Sequence, residues 1–228
     1  MPKWTEVIEN YSDDIAIRAA ANDLTRPVPS CPEWTLGDLV FHLGTVQRFW
    51  ALNLLARDAS TWTVPDDAED PSDDVLVEWF RAGTEALASA LHEVGDDSPC
   101  WTWWGEPLTS SAAARHQVHE AAIHNWDTKL TLGIERPLAS AIAHDGVSEF
   151  LEVHHAEIPT DGDSYITLRS TNTNGIWHIG SEVHPPITVT GSASQLVLML
   201  NGRVPLSVFS VEGSLDAVQS ILDAIDLT

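Results

Sequence analysis

The 228-residue chain sets 34 acidic against 11 basic residues, for a net charge of −23, and carries 43% apolar residues with ten tryptophans. That apolar content can fill a sizeable core and excludes disorder. The acidity excludes phosphate backbones and anionic membranes as natural partners, so an anionic substrate would need a local arginine.

The start of the chain has no basic segment leading into an apolar run, and the longest aliphatic stretch, Leu196 to Leu200, is far too short for a bilayer. Cys31 and Cys100 are isolated, without C-x-x-C spacing. Two such thiols define neither a disulfide framework nor a thiolate zinc site, and the expectation is a reduced, cytoplasmic protein.

In chain order, Trp4 to Asn22 places apolar residues at near-helical spacing. Pro27, Pro29 and Pro32 delay the next helix to Thr35, where Thr-x-x-Asp38 is a start signal. That helix is predicted to run to about Arg57 with Leu36, Leu39, Val40, Leu43, Val46 and Trp50 inward. The acidic segment from Thr61 to Pro71 reads as loop. A third helix fits Ser72 to Val94, a tryptophan-rich loop spans Trp101 to Pro107, and a fourth helix fits Ser110 to Leu132, stopped by Gly133. Four such helices predict an antiparallel bundle.

After Pro137 the pattern changes. A helix over Leu138 to Ala156 runs into the turn cluster Pro159-Thr-Asp-Gly. Strands are predicted at Tyr165 to Ser170, Gly175 to Ile179 and Ile187 to Thr190. A helix (Ser192 to Leu200), a strand (Leu206 to Val211) and a final helix (Ser214 to Ile225) follow. The fold class expected is α+β, with a bundle over residues 1–157 and a small α+β domain over 158–228.

The most informative segment is Arg115-His-Gln-Val-His-Glu-Ala-Ala-Ile-His-Asn-Trp-Asp127. His119-Glu120 resembles the start of H-E-x-x-H, but position 123 is isoleucine, so the zinc-protease spacing is absent. Glu120 and His124 are four apart, which turns a helix by roughly 40° beyond one full turn and stacks both side chains on one face. His119 points elsewhere, and His116 sits one turn back as a possible further ligand or supporting group. His42 shares a face with Leu39, Val46 and Phe49, where an imidazole needs a partner. Taken singly, His42 reads as a hydrogen-bonded core histidine and Glu120–His124 as a solvated helical pair. Taken together, two histidines and a carboxylate can hold a tetrahedral zinc with one position open for chemistry.

The segment Cys31-Pro-Glu-Trp-Thr-Leu-Gly-Asp-Leu-Val-Phe-His42, followed by Arg115…His119-Glu120…His124-Asn-Trp-Asp127, resembles the mycothiol-dependent maleylpyruvate isomerase family of actinobacteria, relatives of the DinB-like metal-binding bundles. Gly191 to Arg203, with Val211-Glu-Gly213 after it, looks like that family's second domain. The resemblance implies a four-helix DinB-like bundle holding zinc on His42, Glu120 and His124, with mycothiol as cosubstrate. It implies a catalytic arginine in the C-terminal part, for which Arg203 is the nearest match. Asp127, three positions after His124, either orients a ligand, binds the polar cosubstrate, or is a solvated acid toward the end of the helix.

The function expected is a zinc- and mycothiol-dependent enzyme whose thiolate attacks an electrophilic small molecule, by cis–trans isomerisation or by thiol transfer. The alternatives are a non-catalytic metal-containing ligand-binding or interaction protein, and a metal-dependent hydrolase. Partners expected are a small-molecule substrate and a low-molecular-weight thiol, with neither nucleic acid nor membrane. The sequence leaves the oligomeric state open.

Overall fold

The computed structural model describes residues 4–65, 71–154, 165–180 and 186–225. The chain forms two compact units, Met1–Arg136 and Pro137–Thr228. The boundary falls before the fifth helix, not after it at residue 157 as the sequence pattern suggests.

The first unit is the expected bundle: α1 (Trp4–Ala20), α2 (Leu36–Ala56), α3 (Asp73–Val94) and α4 (Ser110–Thr131). Helix α2 packs along α3, and α1 packs against both α3 and α4. Ile15, Leu39, Val40, Leu43, Leu76 and Phe80 meet in a shared apolar core. Gly44 lets α2 and α3 approach closely, because a Cβ there would run into the Trp79 ring. The Arg48 guanidinium lies 3.7 Å from the centre of that ring and donates to the Gly44 and Trp79 carbonyls.

Where three prolines forbid helix, the chain forms a two-stranded antiparallel ribbon, β1 (Pro27–Val28) and β2 (Cys31–Thr35), which the sequence reading had not anticipated. The ribbon delivers Thr35 as the N-cap of α2. The Thr35 hydroxyl accepts from the Asp38 backbone N–H, and the Asp38 carboxylate accepts from the Thr35 N–H at 2.7 Å. This reciprocal cap fixes where α2 begins, and so the rotational phase of His42 two turns later.

The second unit holds α5 (Ser140–Val153), β3 (Tyr165–Ser170), β4 (Ile176–Gly180), β5 (Pro186–Gly191), α6 (Ala193–Leu200), β6 (Ser210–Glu212) and α7 (Leu215–Leu222). Its sheet runs β4-β3-β5-β6, with β3 and β5 parallel and the other pairings antiparallel. The α+β class is as expected. One element differs: Leu206 to Val208 is a 3-10 turn after Pro205, and only Ser210–Glu212 pairs as a strand. The turn cluster at Pro159, together with His155 and His184, lies outside the described residues.

Candidate metal centre

His42, Glu120 and His124 converge from α2 and α4, with one potential ligand atom from each lying within 4.8 Å of the others. His124 Nε2 stands 3.3 Å from Glu120 Oε2. Zinc bonds of about 2.1 Å set tetrahedral ligand atoms roughly 3.4 Å apart, so this spacing suits one shared ion.

Two further observations test that fit. Glu120 Oε2 is buried and meets no hydrogen-bond geometry, its near neighbour being the His124 ring nitrogen at 3.3 Å, so a cation between the two would satisfy both. On the far side of the His124 ring, Nδ1 lies 3.1 Å from Asp127 Oδ2. A carboxylate on one ring nitrogen orients the other toward a metal and raises its basicity. The residues present therefore fit a divalent ion bound by nitrogen and oxygen ligands.

Electrostatics point the same way. Burial disfavours a charged imidazole at His124, but Asp127 and Glu120 outweigh it and push its pKa up to about 9. Burial likewise works against an ionised Glu120, yet His124, His116 and His42 hold its carboxyl well below the usual carboxylate range. A site that stabilises negative charge on one ligand and positive charge beside it is ready to exchange protons for a cation.

Asp127 has no exposed surface, and Ser30 Oγ donates to its Oδ1 at 2.6 Å. Of the roles open from sequence, a solvated acid is thereby excluded, and the contact with His124 is one that would orient a ligand. Ser30 stands on the turn between β1 and β2, so the ribbon reaches across 97 residues of sequence to hold the Asp127 side chain. The Trp34 ring, from β2, lies 4.7 Å from the His42 ring and 6.0 Å from the His124 ring. Sequence reasoning missed both Ser30 and Trp34. The only signal was their place in and beside the Cys31-Pro-Glu-Trp run.

His116 is not in the triad. Its ring lies 4.9 Å from Trp104, 5.9 Å from Trp50 and 6.1 Å from Trp103. The tryptophan-rich loop thus packs on the turn of α4 just before Glu120. His119 is buried away from the cluster. Neither Cys31 nor Cys100 is in a disulfide, and burial pushes the Cys100 thiol up to about 11, which makes it inert. Arg203 belongs to the second unit, where its Nη1 donates to the Asn201 carbonyl at 2.7 Å.

The chain is thus a four-helix bundle carrying a candidate metal-binding triad, followed by an α+β unit. Residues 8–129 match the family model described as the mycothiol maleylpyruvate isomerase N-terminal domain, and the chain belongs to that family. Two crystal structures of mycothiol-dependent maleylpyruvate isomerase, one of them a histidine-to-alanine variant, share its fold with a TM-score of 0.70. They are 13% and 14% identical in sequence, and each alignment covers 92% of this chain and 91% of the other. No curated protein sequence matches the chain. None of its helices, among the described residues, is long and apolar enough to cross a membrane.

Proposed function

We propose that the protein is a zinc-dependent enzyme that uses mycothiol to attack an electrophilic small molecule, by cis–trans isomerisation or by thiol transfer. The observation that carries this reading is the convergence of three protein ligands, His42, Glu120 and His124, on one point. Three ligands leave a tetrahedral ion one position short, the arrangement of catalytic rather than structural zinc.

A zinc ion at these residues would supply a thiolate at neutral pH from a thiol that otherwise titrates near 8.5. The chain's own residues prepare for that. With a metal bound, Asp127 would hold the remaining His124 proton on Nδ1 and leave Nε2 to the ion. The Trp34 ring packs beside both histidine rings and helps hold their orientation. In an isomerisation, the thiolate adds to a C=C bond conjugated with a carbonyl, and the electron pair moves to the carbonyl oxygen. Rotation about the new single bond and expulsion of the thiolate return the thiol unchanged. In a transfer, a proton is taken up instead and the thioether is kept. Arg203 is the proposed group for the developing oxyanion, an assignment that rests on the family resemblance.

Cobalt-substituted protein tests the reading. Mycothiol should produce a strong near-ultraviolet sulfur-to-metal charge-transfer band, and the protein should turn over maleylpyruvate only with the thiol present. A spectrum unchanged at saturating mycothiol would exclude thiol activation and favour a water-activating hydrolase at the same residues.

A further inference from the structure

Among the described residues, four buried side-chain nitrogen or oxygen atoms lack a hydrogen-bond partner, and three of them sit one turn apart on α4: Gln117 Nε2, Gln117 Oε1 and Glu120 Oε2. Gln117 is 1% exposed. It precedes His124 by seven residues, which at 100° each returns it to within about 20° of the same face. It precedes Glu120 by three, or roughly 4.5 Å along the axis. Side chains on a helix lean toward its N-terminus by similar amounts, so the Gln117 amide and the Glu120 carboxylate stay about one turn apart along this face. One turn before Gln117 stand the buried Ala113 and Ala114, and one turn after it Ala121, which offer no hydrogen-bonding side chain, beside Glu120, which makes no hydrogen bond to it. A buried amide with neither its donor nor its acceptor satisfied costs stability, and apolar residues would fill a helical core face more cheaply.

We infer that Gln117 is a ligand-binding residue of this site, its side-chain amide hydrogen-bonding the molecule that occupies the open position beside Glu120. An amide offers one donor edge and one acceptor, so it suits a ligand with an acceptor and a donor close together, such as the amide and hydroxyl groups of a polar thiol. This rests on the proposed metal site, and it adds a residue that reads the ligand without holding the metal.

The experiment titrates zinc-loaded wild type, Gln117→Met and Gln117→Leu with two probes, mycothiol and acetohydroxamate, by calorimetry. The expected result is an unchanged zinc content, a ligand-free thermal midpoint equal to or above that of wild type, and affinity for mycothiol lowered about tenfold. Gln117→Met keeps nearly the same volume and serves if Gln117→Leu does not fold. Equal affinity of wild type and variant for both probes overturns the inference, as does loss of zinc from the variants. Should wild type bind acetohydroxamate but not mycothiol, the thiol reading fails by itself. The hydroxamate affinities then decide on Gln117: a fall supports its role and equality overturns it. Binding of neither probe to wild type also overturns it.

Discussion

The Asp127 carboxylate bridges two segments: one oxygen lies 3.1 Å from His124 Nδ1 and the other accepts from Ser30 Oγ at 2.6 Å. Asp127 thus contacts a candidate ligand while itself being held by a residue 97 positions earlier in the chain. Asp127→Asn should weaken zinc binding about tenfold or more. Ser30→Ala should have a smaller effect in the same direction. Competition titration against a chelator of known affinity measures both, and equal zinc affinity for wild type and Asp127→Asn would show that the contact is structural only.

Purified protein should hold about one zinc per chain. His42→Ala, Glu120→Gln and His124→Ala should each lose most of it, whereas His119→Ala should keep it. Elemental analysis reads the outcome. The helical signal should survive chelation, because the apolar faces of four helices supply most of the stability. Collapse of circular dichroism on metal removal would mean a closed structural site instead.

Asp14 gives a pH dependence away from the metal. Burial alone would raise its carboxyl, but hydrogen bonds from Arg18, Asn125 and Lys129 bring it down to about 2. The folded value lies below the unfolded one, so its contribution is present above the unfolded value and fades as pH falls through about 2. Asp14→Asn should cost on the order of 1 kcal/mol at neutral pH, tempered by partial exposure of the network. The difference from wild type in urea unfolding should shrink below pH ~4. A gap that stays constant down to pH ~2 would rule out this linkage.

Arg203→Ala should abolish most thiol-dependent turnover and leave zinc content and mycothiol affinity near wild type. Steady-state kinetics beside calorimetry separates these readouts. Full activity in Arg203→Ala would remove this residue from the mechanism.

What was legible in the sequence was whatever follows local periodicity. The Glu120–His124 pair and the helix start at Thr35 depend on neighbours within a turn. His42 was legible because an imidazole stood out on an apolar face. Ser30, Trp34 and Gln117 were not, since their significance lies in partners far along the chain, or in the lack of one. The unit boundary was hidden for a similar reason. Ala143, Val147 and Phe150 give α5 an apolar face, but periodicity does not say which helix will cover it, and it packs on α6. The strand expected from Leu206 was lost because Pro205 leads into a 3-10 turn.

Two of the three candidate ligands share one helix, while the third arrives on another. Wherever α4 is helical, even transiently in the unfolded ensemble, Glu120 and His124 form a weak half-site. The full site exists only after α2 has docked against α4. Metal affinity above that of the half-site is therefore a direct thermodynamic gauge of this docking. By mass action, an ion at a hundred times its dissociation constant would tilt the folding equilibrium by about 2.7 kcal/mol. Cells short of the metal would hold a protein with the same helices but a shallower native well.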